Sequence, residues 1–257
     1  TSAPVAANGY YNSLGPLYDR LKATDDLQTW VDLLLDTAGF PHGNQRRVLD
    51  LGCGTGGSSR AFANRGFDVT GCDSSSAMLR VARARHPEGR YLQADIRRLP
   101  AHLTGFDIVN YMGDVPNHLL EEDDVVAALT CAARALAPTG IVMFDVNTIL
   151  LTNNCFTAQH VIDRGDATFL WLGETLHAQP NTLAHLRVIA FHEKGDLWQR
   201  TDASLTERHY DPATLTRLIA QAGLRACSVH GLHRGQLVTP ADENIHMKLV
   251  YMAELNP

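Results

Sequence analysis

No stretch of this 257-residue chain approaches the ~20 consecutive apolar residues of a membrane span, and no long basic run offers a surface to a polyanion. With 22 Lys and Arg against 28 Asp and Glu, the formal net charge is −6. Neither nucleic acid nor an anionic membrane is therefore an expected partner, because neither would be drawn electrostatically. The five cysteines, at 53, 72, 131, 155 and 227, form no C-x-x-C pair and no disulfide framework. The opening TSAPVAANGYY lacks the charged start and apolar run of a signal peptide. Both features point to a reduced, cytoplasmic setting. Histidine is plentiful, but ligand spacing is scarce: His230 and His233 fall on opposite faces of an apparent strand end, so no metal site is expected.

What the chain does have is apolar residues, 45% of the total, enough for one domain with a large core or one domain with an insertion. GYYNSLGPLYDRL reads as a short helical arm, followed by a helix over Asp25 to Ala38 and a loop, PHGNQ. Strand RRVLDL then runs straight into glycines, and the chain alternates. SSRAFANRG is a helix closed by Gly66, FDVTGCD a strand ending at Asp73, and SSAMLRVARARH a helix capped by Ser74 or Ser75. RYLQAD is a strand ending at Asp95, FDIVNYM another, and DVVAALTCAARALAPTG a helix leading to strand IVMFDVN. Strand and helix alternating without hairpins predicts a parallel sheet covered on both faces, with a ligand beyond the carboxyl ends of its strands.

Residues 147 to 209 break the rhythm. FLWLGETLHA, TLAHLRVIAF and LWQRTDASLTERHY have strand composition, with turns at Pro180-Asn181 and Lys194-Gly195-Asp196. They predict an inserted antiparallel meander, packed onto the body by Phe169, Trp171, Phe191 and Trp198. Helix DPATLTRLIAQAGL, capped by Asp211 with Pro212 next, leads to two final strands near Ala226–Leu232 and Ile245–Leu255.

The chemistry turns on VLDLGCGTGG, residues 48 to 57, which satisfies two patterns at once. Gly52, Gly54 and Gly57 spell the G-x-G-x-x-G of a dinucleotide turn; Asp50 with Gly52, Gly54 and Gly56 spells D-x-G-x-G-x-G, the loop of S-adenosylmethionine (SAM) methyltransferases. A carboxylate two residues before the first glycine would repel a diphosphate and attract an ammonium, which favours the second. Asp73 suits both ribose hydroxyls in either reading. Asp95, after a third strand, is placed for an adenine amino group with Ile96 beside the ring, and a dinucleotide fold has no standard need for it.

DLGCGTGG, GCD, LQAD, FDIVNYMGDVPNHLL and APTGIVMFDVN, in this order and spacing, resemble class I SAM-dependent methyltransferases over roughly residues 46 to 147. The resemblance implies an α/β, Rossmann-like, seven-stranded, mostly parallel sheet with an antiparallel last strand, plus the inserted antiparallel sheet. The arm would be residues 1–45, the core 46–147 with 210–257, and the insert 148–209 a substrate lid. The cofactor would be SAM, with S-adenosylhomocysteine (SAH) as product, held by Tyr18, Asp50, Gly52, Gly54, Gly56, Asp73, Ser74, Met78, Ala94, Asp95, Ile96 and Met112.

Arm and insert together look like the small-molecule branch, similar to sugar N,N-dimethyltransferases and glycine N-methyltransferases. The signature of DNA amino-methyltransferases is missing after the fourth strand. His118 matches the position of a catalytic histidine in the sugar N-methyltransferases, and a neutral imidazole suits proton removal at neutral pH; packing, or capping the next helix, is its alternative role. Asp114 would bind a substrate cation or orient the base, or simply close a loop. Tyr11 and Tyr18 would meet SAM or substrate, or anchor the arm. His209 and Tyr210 are weaker substrate candidates. The expectation is a small-molecule N-methyltransferase, monomer or homodimer, for an amino sugar, amino acid or specialised metabolite, with an antibiotic-biosynthesis setting suggested by the Ala- and Arg-rich composition. An O-methyltransferase, a nicotinamide-dependent reductase and a SAM-binding protein without catalysis are the alternatives.

Overall fold

The computed structural model describes residues 8–23, 26–40 and 46–256. Asp25 and the PHGNQ segment lie outside these. The arm is α1 (Asn8–Leu14), a 3-10 turn (Gly15–Leu17) and α2 (Tyr18–Leu21), followed by α3 (Leu27–Ala38). Asp26 caps α3 by accepting from Thr29 N at 3.0 Å, and Gly39, at φ 68°, closes it. The core then runs β1 (Arg47–Leu51), α4 (Gly57–Ala63), β2 (Asp68–Asp73), α5 (Ser76–Arg85), β3 (Arg90–Gln93), β4 (Phe106–Tyr111), α6 (Glu122–Ala135) and β5 (Leu136–Asn147). The insert comprises α7 (Ile149–Phe156), β6 (Gln159–Asp163), β7 (Ala167–Gly173), β8 (Leu183–Lys194) and β9 (Leu197–Arg208). The chain ends with α8 (Pro212–Gln221), β10 (Leu224–His233), β11 (Gln236–Val238) and β12 (Lys248–Leu255).

The main sheet has eight strands in the order β11-β10-β12-β5-β4-β1-β2-β3. Strands β1 to β5 are mutually parallel, and β12 is antiparallel to both β5 and β10. The expected seven strands with an antiparallel last one are present, and the eighth, β11, is a short hairpin extension of β10. Strand order reverses between β1 and β4, which opens a crevice at their carboxyl ends.

Several boundaries differ from the sequence expectation for local reasons. Helix α6 stops at Ala135, because Leu136 is already extended and Ala137 precedes Pro138, so LAPTG joins strand β5. Strand β3 ends at Gln93, and Asp95 instead caps a 3-10 turn, Ile96–Arg98. Ile245 and His246 lie in a turn before β12, where Asp242 N donates to His246 Nδ1 at 3.0 Å. The insert has four antiparallel strands, β6-β7-β8-β9, rather than three. The additional strand, QHVID, is an exposed edge with no apolar face to betray it. Trp198 is 51% exposed near the tip of the β8–β9 hairpin and packs nothing onto the body, whereas Phe169 is fully buried.

The insert's inner face, with Phe169, Leu186, Val188 and Leu205, forms one core cluster with Tyr10, Leu14, Leu17 and Leu21 of the arm. Burying each such side chain contributes ~1.5–3 kcal/mol before entropy is counted. Arm and insert therefore close on each other above the carboxyl ends of the main sheet.

Candidate active site

Strand β1 delivers its last residues to a loop whose glycines distinguish the two patterns. Gly52, Gly54 and Gly56 have φ of 71°, 54° and 82°, a left-handed region that disfavours any side chain. Gly57 is an ordinary first residue of α4, and a Cβ there would meet only the movable end of Leu27. The backbone thus uses the glycines of D-x-G-x-G-x-G. A Cβ on Gly52 would stand 2.6 Å from Val115 Cγ2, while Gly54 and Gly113 face open space.

That space is a cleft of ≈ 670 Å³, lined by Asn8, Tyr11, Tyr18, Gly52, Gly54, Asp73, Ser74, Met78, Ile96, Met112, Gly113, Val115, His118 and Leu119. Asp73 at the end of β2 accepts from Gly54 N at 2.9 Å and from Ser75 N at 2.7 Å, one bond per carboxylate oxygen, which leaves each oxygen acceptor capacity. The arm is tied across the cleft. Ser74 Oγ donates to Asn8 Oδ1 and Ser75 Oγ to Asn12 Oδ1, both at 2.7 Å, and Thr55 Oγ1 donates to Asp19 at 2.6 Å.

Four residues expected at the cofactor lie outside the wall. Asp50 is 1% exposed and turned inward: it accepts from Ser58 Oγ and Ser59 Oγ at 2.6 Å and from Asn110 Nδ2 at 2.8 Å. Burial raises its pKa against those three donors. Through these bonds its carboxylate ties the end of β1 to the start of α4 and to β4. Gly56 turns the chain into α4 beneath the Tyr91 hydroxyl. Ala94 packs against the main core. Asp95 is engaged by Arg97, with Nη2 donating at 2.7 Å, and Arg97 also reaches Asp124 at 2.8 Å. Burial works against the charge of Asp95, yet Arg97 holds its pKa below the ordinary value. Of three acids expected to grip a ligand, only Asp73 faces the cleft.

On the opposite wall a 3-10 turn, Val115–His118, follows β4. His118 is buried, and its Nε2 lies 2.7 Å from Tyr11 Oη, which also walls the cleft. Burial pushes the His118 pKa below its ordinary value, against the pull of Asp114, whose Oδ2 is 3.7 Å from Nε2. Asp114 stands behind the wall in a left-handed conformation, φ 54°. Burial opposes its ionisation, but Lys248, whose Nζ donates at 2.8 Å, holds it well below the usual carboxylate range. Lys248 also donates to Asp145 at 2.6 Å, and Asp145 accepts from Gly113 N and Asp114 N. His209 and Tyr210 do not reach the cleft wall. They are buried, His209 against Glu243 at 2.9 Å and the Tyr210 hydroxyl against Leu119 O.

Sequence reasoning missed Glu207, Lys248, Asn117 and Asn147. Glu207 is buried, with Oε1 3.8 Å from His118 Nδ1, and burial followed by the charge of Asp114 pushes its pKa well above the ordinary value. A two-residue period was its one local signal, since Ala203, Leu205 and Glu207 share the buried face of β9. Asp114, His118 and Glu207 offer donor atoms within 4.8 Å of one another. The charge of Asp114 is already met by Lys248 and burial works against a charge on Glu207, so this set is poorly matched to an ion. Among the described residues, no helix is long and apolar enough to cross a membrane.

Residues 48–140 match the family model described as "Methyltransferase domain". Over 223 residues the chain is 27% identical to "Putative methyltransferase YqeM" of Bacillus subtilis (strain 168), covering 84% of this chain and 86% of that one. A SAM-dependent methyltransferase from Clostridium acetobutylicum ATCC 824 superposes with a TM-score of 0.81 at 20% identity, covering 96% of this chain and 99% of the other. The sugar N-methyltransferase KedS8 from Streptoalloteichus sp ATCC 53650 superposes with a TM-score of 0.69 at 17% identity, covering 100% of this chain and 97% of the other.

Proposed function

We propose that this chain, which carries a methyltransferase domain on the class I fold and takes SAM as its methyl donor, acts on the nitrogen of a small amine. The observation that carries the reading is the shared cleft: His118 and Tyr11 face the same cavity as Gly52, Gly54 and Asp73. The site residues fit SAM. Backbone at Gly54 and Gly113 borders volume that a side chain would fill, and Asp73 keeps acceptor capacity for ribose hydroxyls. Ile96 and Met78 offer apolar surface to an adenine, with Ser74 and Tyr18 beside them.

When bound, SAM supplies an electrophilic methyl group on a sulfonium. The chain's part is to bind both partners in line, exclude water and remove one proton. Alignment alone is worth ~7–11 kcal/mol of a two-body barrier. The arm and the insert, locked together through Tyr10, Leu14 and Leu186, act as the cover that keeps water out. His118 Nε2 is the proton acceptor on the acceptor side of the cleft.

Nitrogen is preferred over oxygen on physical grounds. Burial has weakened His118 as a base, so it is poorly matched to an alcohol, whereas an amine becomes nucleophilic once a single proton leaves. The resemblance to KedS8 supports an amino sugar as the first acceptor class to try. The test is methyl-labelled SAM with panels of amino sugars, amino acids and hydroxylated analogues. Label on an amine nitrogen supports the reading; label confined to oxygen overturns the preference while leaving the donor intact.

A further inference from the structure

The buried edge of His118 carries an unsatisfied atom. Nε2 meets Tyr11, but Nδ1 has no hydrogen-bond partner among the described residues. Glu207 Oε1 lies 3.8 Å from it, and the other carboxyl oxygen accepts from Asn147 Nδ2 at 2.9 Å. The two side chains are held in register by a third. Asn117 Nδ2 donates to Arg208 O, next to Glu207, and Asn117 Oδ1 accepts from Asn147 N, each at 2.9 Å. A closed polar ring, whose side chains Asn117, Asn147 and Glu207 are buried, thus ties the turn bearing His118 to the strand bearing Glu207.

We propose that Glu207 is the positioning residue of His118: it faces the Nδ1 edge, fixes the tautomer that leaves Nε2 as the acceptor toward the cleft, and receives the Nδ1 proton. This rests on the reading of His118 as the group that removes the acceptor's proton. Burial keeps the Tyr11 phenol protonated, so its O–H is available to donate to Nε2; in that arrangement the ring proton sits on Nδ1, the edge that faces Glu207. In the proton step, an acceptor ammonium replaces the Tyr11 hydroxyl at Nε2. Its N–H bond breaks, Nε2–H forms, Nδ1–H breaks and Glu207 Oε1–H forms. The imidazole ends neutral, the carboxylate ends as a carboxylic acid, and the amine keeps its lone pair. The contact must tighten from 3.8 Å to the hydrogen-bond distance of ~2.9 Å as the site closes. The step starts with Glu207 ionised, and burial, by raising its affinity for a proton, makes it a ready acceptor.

Other charged groups bear on the same ring. Asp114 pulls toward the imidazolium and Asp145 does so more weakly, while Lys248 and Lys22 oppose it. Asp114 and Asp145 are both engaged by Lys248, so their fields are partly cancelled. Tyr11 and Glu207 contact the ring's two edges.

The test is nitrogen-15 NMR of the histidine rings in the SAH-bound protein across pH 5–9, with His118 assigned by its loss in His118→Gln. The expected wild-type ring carries its proton on Nδ1 and titrates in two steps with a carboxyl partner. Glu207→Gln, which keeps the shape, should leave one step with its midpoint moved by about one pH unit. Glu207→Leu should yield a mixture of tautomers. Should Glu207→Gln fail to fold, Asn147→Ala, which frees the carboxyl, should move the curve as well. Superposable wild-type and variant curves would overturn the proposal. Calorimetry with SAH on the same samples separates the readings: failure of the wild type to bind SAH strikes the donor assignment, whereas unchanged NMR curves with intact SAH binding strike only Glu207.

Discussion

Tyr11 and His118, 107 residues apart in the chain, meet through a 2.7 Å contact between the phenol oxygen and Nε2, with their rings edge to face at 5.4 Å. One comes from the arm and the other from the turn after β4, so closing the arm completes the environment of the base. Tyr11→Phe should leave both ring nitrogens of a buried imidazole without a protein partner, at a cost of ~1–3 kcal/mol. Urea unfolding of the two proteins checks this. Equal midpoints would mean that the contact contributes nothing in solution.

The glycine loop makes a sharper prediction, because two neighbouring glycines should behave oppositely. Gly52→Ala forces a left-handed alanine and a clash with Val115, with strain of about 1–3 kcal/mol. SAH affinity should fall by roughly tenfold or more. Gly57→Ala meets only the end of Leu27 at ordinary φ, and affinity should stay within about threefold. The reverse ranking in a calorimetric titration would restore the dinucleotide pattern.

Asp50 and Asp95 are expected to fail differently from Asp73. Asp50→Ala strands two serine hydroxyls and an amide in the interior, and stability should drop by roughly 3 kcal/mol or more. Asp95→Ala removes one partner of the buried Arg97, whose contact with Asp124 remains, and should leave SAH affinity within about threefold. Loss of SAH binding in a stably folded Asp95→Ala would return that carboxylate to the ligand.

His209 should impose an acid limit on stability. Burial pushes its pKa down to about 4, and Nδ1 accepts from Asn181 N at 3.2 Å, a bond the charged ring cannot make. Since the unfolded ring takes its proton near pH ~6.5, the unfolded state binds more protons between the two values. Stability is therefore withdrawn as pH falls from about 6.5 to about 4, by roughly 3 kcal/mol in all. Unfolding free energies measured over that window should slope less in His209→Gln. Parallel slopes would assign the acid limit to other groups.

The parallel sheet was legible because its signals are local. Ser75, Asp211 and Pro212 cap helices where capping chemistry demands, and Gly52 and Gly54 sit where only glycine turns easily. The cleft side of the site followed, since Asp73, Ile96 and His118 stand at ends of strands or just beyond them. What failed was direction and depth. Asp50 points inward because Ser58, Ser59 and Asn110 receive it, and Asn110 lies on a strand 60 residues away. Nothing in LQADIRRLP says that Arg97 folds back on Asp95. Glu207 and Lys248 look like ordinary strand polar residues until the insert and β12 carry them under His118.

The central claim is that this cleft holds an adenosyl amino acid, and isothermal titration with SAM, SAH and NADH tests it most directly. Micromolar SAH binding, at least tenfold weaker in Asp73→Ala, with no heat from NADH, is the expected result (~1.4 kcal/mol or more). NADH binding in place of SAH, or SAH binding indifferent to Asp73, would contradict it.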